Sequence, residues 1–284
     1  MLAAELLKVR GRWLPWVLWL VLVAMLALTT FAPYLDWKGD GGGFLEDFER
    51  QAFVLPWALT SILDTIQSLG SILLGIVAAS LVGTEYSWGT VRSCLVRGQT
   101  RSHYLLTKLL GLSAVGLVLL ATAFAVGLIF TLITTHLAGQ PISLNVPDGP
   151  SLPEVPLMFL RSAYSVLPYA LVAFLLAELF HSTAAGVGGG LVYVVVEGII
   201  LAILGNLGGV AGDMRLLFVG HHVSAVMELN RIGSEAVDVG LVLRPQPEAS
   251  DLLPPAQAAV AVAAYCLFLV SVALWLFQRR DVRS

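Results

Sequence analysis

The chain has 284 residues, of which 57% are hydrophobic and only 12% are charged, and its net charge is −3. A soluble globular domain carries about 25% charged residues, so this composition argues against an ordinary soluble protein and indicates a polytopic membrane protein. The two cysteines, Cys94 and Cys266, lie in unrelated segments, so no disulfide framework or metal cage is expected. We expect an all-α protein with one transmembrane domain over residues 1–284.

Six apolar stretches are long enough to cross a bilayer as helices. A short polar turn at 181–183 predicts that the fourth and fifth spans are antiparallel neighbours. The polar segment 206–255 is expected outside the membrane, with short helices such as 223–229 over the outer mouth of the bundle. The predicted spans are 13–33, 54–82, 109–137, 160–180, 184–204 and 256–277.

The segment before the first span mixes leucines with charged residues over 1–12. This pattern predicts an amphipathic helix that lies at the membrane surface, with its basic residues among the lipid head groups. The alternative is that these charges only flank the first span. The two interpretations do not exclude each other.

The distribution of basic residues predicts the orientation. With six spans, both termini lie on the same side of the membrane, and that side collects ten Lys and Arg residues against five on the other. Because loops rich in Lys and Arg stay in the cytoplasm, we expect a multi-pass protein of the cytoplasmic membrane with both termini in the cytoplasm.

The stretch 83–108 is a long polar, basic break between the second and third spans. Its basic residues are Arg92, Arg97, Arg101 and Lys108. A short helix at 90–95 is expected, with Thr84 or Ser87 as a cap for its start, and Glu85 could pair with Arg92 or a neighbour. The arginines would then offer hydrogen-bond donors to acidic groups of a partner. Alternatively, the stretch is a solvated loop whose charges only set the topology.

Three short motifs resemble those of a known family. Glu85, Gly89, Thr90 and Arg92 resemble the E-x-x-x-G-T-x-R segment of type 2 ABC transporter permeases, which follows the second span in those proteins. Near the N-terminus, Glu5 and Lys8 resemble an E-x-x-K motif. The C-terminus resembles an F-x-R-R-D motif through Phe277, Arg279, Arg280 and Asp281.

This resemblance implies a permease subunit of an ATP-driven exporter. Two permease chains, identical or different, would form the translocation path and bind two separate ABC ATP-binding subunits. ATP and Mg would be held by those subunits, with no cofactor on this chain. The cytoplasmic loop would carry a coupling helix, and its ATPase-coupling residues would be Glu85, Gly89, Thr90, Arg92, Arg97 and Arg101.

Polar residues inside the spans are candidates for a path, because ionisable groups at bilayer depth are costly unless they are paired or hydrated. Asp64 and Gln67 lie one turn apart in the second span, Glu178 is near the end of the fourth, and Glu197 is inside the fifth. Asp64 and Glu197 could line a common wet cavity. The alternative is that each carboxylate hydrogen-bonds a neighbouring helix and stabilises the bundle. Similarly, the glycines at 186–190 could provide close helix packing or a hinge.

The sequence does not predict a catalytic or metal-binding site. The sequence has no phosphate-binding loop of the GxxxxGK[ST] type, so ATP hydrolysis would belong to a partner, and this chain is not expected to be an enzyme. His221 and His222 are adjacent and point differently on a helix, so no metal site is expected. We expect the protein to contact membrane lipids and to have no nucleic-acid partner. The remaining alternative function is a membrane anchor or accessory subunit that does not itself transport.

Overall fold

The computed structural model describes residues 11–39, 51–89, 100–144, 149–207, 212–232 and 252–279. Within these ranges the chain forms seven α-helices and a short 3-10 turn at Met214–Leu217, and no strand. The predicted surface helix at 1–12 lies almost wholly outside the described residues, and the helix predicted at 90–95 lies entirely outside them. The helices are α1 (Trp13–Gly39), α2 (Ala58–Ser87), α3 (Arg101–Leu137), α4 (Glu154–Phe180), α5 (Thr183–Gly205), α6 (Val219–Glu228) and α7 (Pro255–Arg279).

Six of these helices are long and apolar enough to cross a membrane, namely all but α6. This confirms the prediction of an all-helical, multi-pass membrane protein. The terminal end of the bundle is defined here as the end at which α1 begins and α7 finishes. The other end is called the opposite end.

The second and third spans extend further toward the terminal end than their apolar stretches predict. Residues Thr84 and Ser87 were expected to cap a following helix, but both lie inside α2, where their hydroxyls donate to the carbonyls of Ser80 and Gly83. The helix continues because its polar last turns pack against neighbouring elements. Thr100 caps α3 instead, since its hydroxyl accepts from the amide of His103.

Helix α3 is longer than a bilayer requires. Its 37 residues span about 55 Å at 1.5 Å per residue, whereas the hydrocarbon core is about 30 Å thick. The first turns, which contain Arg101 and Lys108, can therefore project from the membrane at the terminal end. Near the opposite end, the hydroxyl of Thr134 donates to the Phe53 carbonyl, which fixes the connection between α1 and α2.

The centre of the bundle is built from α2 and α4, and α5 packs against both of them along lines of small residues. On α2 these are Gly75, Ala79 and Gly83, and on α4 they are Ala173 and Ala177. The spacing of four residues keeps each set on one helix face. Small side chains let helix backbones approach closely, which is a major source of helix association in membranes.

The glycines of α5 meet this surface, as the close-packing interpretation predicted. A Cβ atom at Gly186 would lie 2.5 Å from the Cβ of Ala177 and 2.7 Å from that of Ala79. One at Gly190 would lie 2.9 Å from the Cβ of Ala173. Gly188 faces open space. Glycine is therefore needed at 186 and 190 for contact with α2 and α4.

Candidate functional site

The last turn of α2 and the first turns of α3 share a buried ion pair at the terminal end. The ammonium nitrogen of Lys108 lies 2.6 Å from Oε1 of Glu85, and both side chains are about 95% buried. The hydroxyl of Tyr104 donates to the other carboxylate oxygen of Glu85. Tyr104 and Lys108 are one turn apart on α3 and lie on the same helix face. The carboxylate of Glu85 therefore contacts both side chains.

The same part of α3 also holds the end of α7. One guanidinium nitrogen of Arg101 donates to the carbonyls of Phe277 and Gln278, at 3.3 and 2.9 Å. These are among the last carbonyls of a helix, which lack partners within it, and a cation is favourable there. The rings of Tyr104 and Phe277 stack with centroids 5.6 Å apart. We call these five side chains, Glu85, Arg101, Tyr104, Lys108 and Phe277, the terminal junction.

Two further contacts join the last turns of α2 to the turn between α4 and α5. The rings of Tyr86 and His181 lie 4.3 Å apart. A Cβ at Gly83 would lie 2.3 Å from the backbone nitrogen of Thr183, so the two backbones are in direct contact. The ends of α2, α3, α4, α5 and α7 are therefore mechanically connected at this end.

The predicted coupling residues divide into three groups. Glu85 and Arg101 belong to the terminal junction, where Glu85 is buried rather than exposed to a partner. Gly89 is exposed and has a positive φ of 66°, which suits glycine after a helix end. Thr90, Arg92 and Arg97 lie outside the described residues.

Sequence reasoning missed the roles of Tyr104 and Lys108. Lys108 was assigned to the exposed basic stretch, yet it is 5% exposed and paired with Glu85. Tyr104 and Lys108 are four residues apart, and this spacing could have indicated that both lie on one face of α3. The partner across the loop could not be deduced, because the ion pair depends on where α2 ends.

Asp64 and Gln67 begin a polar stripe on α2. Ser68 and Ser71 follow at helical spacing, so all four residues share one face. The first three are half-buried, although α2 is the most enclosed of the long helices. The side-chain amide nitrogen of Gln67 is buried and has no hydrogen-bond partner within the described part of the chain. A small cleft between α2, α4 and α5 continues the stripe, lined by residues that include Ser71, Gly75, Tyr169, Gly190 and Val194.

The two glutamates of the later spans are both buried. Glu178 lies two residues before the end of α4 and is 3% exposed. Glu197 lies inside α5 and is 2% exposed. Its Oε1 accepts hydrogen bonds from the amide of Gly220, at 2.9 Å, and from the hydroxyl of Tyr193, at 3.1 Å. Glu197 therefore contacts α6.

The segment between α5 and α7 contains a buried helix, α6, where a short surface helix at 223–229 was expected. His221 and His222 both lie in α6 and are buried. The ring nitrogen Nε2 of His222 lies 2.9 Å from the carbonyl oxygen of Leu216, within hydrogen-bond distance. In the ranges that the structure covers, no three His, Cys, Asp or Glu side chains are grouped so as to hold a metal ion.

The sequence matches, over residues 19–283, a family described as "Protein of unknown function (DUF2705)". It is also similar to the "Uncharacterized protein YhcI" of Bacillus subtilis (strain 168), with 29% identity over 121 residues. That match covers 40% of this chain and 39% of the relative, so it spans less than half the length of either protein.

The assignment to the type 2 ABC transporter permeases is therefore wrong. It depended on three motifs of a few residues each, whereas the family match runs over nearly the whole chain. Basic residues in a loop between spans, and at the end of a last span, follow from the topology of many multi-pass proteins. Such motifs carry little information about family membership by themselves.

Proposed function

Because the chain belongs to the DUF2705 family of proteins of unknown function, we propose its role from the geometry: it is the membrane subunit of an exporter that a separate ATP-hydrolysing chain drives. The path lies along the polar stripe of α2, and a second membrane chain closes it. The terminal end faces the cytoplasm and binds the partner.

The observation that carries this proposal is the polar stripe of α2, which is half-buried at Asp64, Gln67 and Ser68 within a helix long enough to cross a membrane. Asp64 is about 9 Å along α2 from its start at Ala58, and Ser71 is about 20 Å along it. The buried side-chain amide nitrogen of Gln67 has no hydrogen-bond partner within the described part of the chain. Such a group needs a partner, and water or a second membrane chain would supply it.

The terminal junction supports the need for a partner. It ties the ends of α2, α3 and α7 together through buried contacts, so a force applied to the adjoining polar loop would reach all three helices. The sequence has no phosphate-binding loop, so the proposal assigns ATP hydrolysis to another chain. The basic residues on this side agree with a cytoplasmic location.

A second candidate is a membrane anchor that holds an ATPase without moving a solute. The terminal junction also favours this candidate, because it holds the ends of α2, α3 and α7 together and so provides a rigid surface for binding an ATPase. The two candidates differ in the polar stripe, because an anchor requires no hydrated path along α2.

Water access to the stripe tests the transport proposal without knowledge of the substrate. In a variant whose native cysteines are replaced by alanine, Ser68→Cys should react with a charged, water-soluble thiol reagent at least about tenfold faster than Val118→Cys. Val118 is a matched control because it is 61% exposed on the apolar surface of α3. Equal, slow reaction at both positions in reconstituted membranes would reject a hydrated path and leave the anchor.

A further inference from the structure

Helix α6 lies within the bundle and not above it. Eight of its ten residues are buried, and it packs against α4, α5 and α7. Its first turn contacts Glu197, which is eight residues before the end of α5, or about 12 Å along that helix. The helix therefore re-enters the opposite end of the bundle.

The start of α6 has no capping side chain of its own. The residue before it is Phe218, which makes no side-chain cap hydrogen bond. The first four amides of a helix lack partners within it, and Glu197 of α5 supplies one by accepting from Gly220. A carboxylate at this place also interacts favourably with the positive end of the helix dipole. Tyr193, one turn before Glu197 on α5, donates to the same oxygen and orients it.

Gly220 makes this approach possible. A Cβ at this position would lie 3.2 Å from Oε2 of Glu197 and 2.8 Å from a methyl carbon of Leu201. A larger residue would therefore push α6 away from α5. The turn that precedes α6 is also held from α7, where the hydroxyl of Tyr265 donates to the carbonyl of Leu217.

The other end of α6 is held separately by Asn230, which is fully buried. Its side-chain amide donates to the carbonyl of Met158, at 2.9 Å, and to the hydroxyl of Ser162, at 3.2 Å. The main-chain carbonyl of Asn230 accepts a hydrogen bond from the hydroxyl of Thr60 at the start of α2. These contacts connect the C-terminal end of α6 to α2 and α4, and none of them involves Glu197.

We propose that Glu197 is the positioning residue that holds the N-terminal half of α6 in place inside the opposite end of the bundle. Asn230 fixes the C-terminal half, so loss of the Glu197 contact frees one end of the helix while the other stays. This role does not depend on the substrate or on an ATP-hydrolysing partner, and it stands if the transport proposal fails.

Hydrogen exchange of the full-length protein in lipid nanodiscs tests the proposal. With Glu197→Ala, amides in 219–224 should exchange at least about tenfold faster, since a hydrogen bond to a charged group contributes about 1.5–3 kcal/mol. Amides in 225–229 should keep their rates. Glu197→Gln retains a neutral acceptor oxygen and should give a smaller increase than Glu197→Ala. Val196→Ala is the control, because Val196 is the exposed neighbour on α5.

Two outcomes would overturn the proposal. One is equal exchange in Glu197→Ala and Val196→Ala. The other is an increase spread evenly over all the long helices, which would mean that Glu197 supports the whole bundle. Should Glu197→Ala fail to fold, Gly220→Ala displaces the same contact with the carboxylate intact. Position 223 is buried in the native protein. The Gly220→Ala substitution should make the thiol introduced by Val223→Cys reactive toward a water-soluble reagent. Continued protection of that thiol would contradict the assignment.

Discussion

At the scale of single residues, the strongest feature is the buried ion pair between Glu85 and Lys108. Removing one member leaves a buried charge without compensation, which costs about 3–5 kcal/mol. We therefore expect Lys108→Met to lower the free energy of unfolding by about that amount. Replacing both members by apolar residues, with Glu85→Leu added, should recover much of the loss, since the desolvation cost disappears with the pair. Denaturant titration in detergent micelles measures both.

The control for this prediction is the partly exposed pair of Glu228 and Arg231. Its closest atoms are 3.3 Å apart, and each side chain is 29% exposed. Exposed pairs contribute about 0–1 kcal/mol, so Arg231→Met should change stability by less than 1 kcal/mol. Equal effects of Lys108→Met and Arg231→Met would show that burial of the first pair has no energetic consequence.

At the scale of helices, the packing of α5 against α2 and α4 depends on particular glycines. Gly186→Ala should destabilise the protein by about 1–3 kcal/mol, because its new methyl group would overlap Ala79 and Ala177. Gly188→Ala adds the same group to the same helix in open space. It should be neutral, or stabilising by up to about 1 kcal/mol through helix propensity. Thermal unfolding of the two variants compares them, and an equal loss in both would argue against glycine packing.

At the scale of the whole molecule, the proposed docking of an ATP-hydrolysing partner and the proposed path along α2 should be separable by mutation. Arg97→Glu, in the basic loop, should reduce the ATP-hydrolysing activity that copurifies with the tagged chain at least about tenfold, through repulsion of an acidic partner surface. Asp64→Asn with Gln67→Ala should leave that association intact and abolish vectorial transport in liposomes. If the Asp64 and Gln67 variant transports normally, the polar stripe is not the path. If Arg97→Glu binds the partner normally, the loop is not the docking element.

Hydropathy predicts the all-helical, multi-pass class and the presence of six long apolar helices, because it is a local property that each segment expresses alone. The sequence also indicates the polar residues of α2 and the glycines of α5. The partners of the charged groups follow from the packing of the helices and could not be predicted. Lys108 meets Glu85 across a loop, Glu197 meets an amide 23 residues later, and Asn230 meets Thr60 over 170 residues.

These contacts depend on where each helix ends and which face it turns inward. Composition and periodicity predicted a polar outer segment at 206–255, yet α6 lies inside the bundle because Glu197 and Asn230 satisfy its two ends there. A helix of ten residues has no hydropathic signature that separates burial from exposure. Its place is decided by hydrogen-bond partners on distant helices, and these exist only once the bundle has formed.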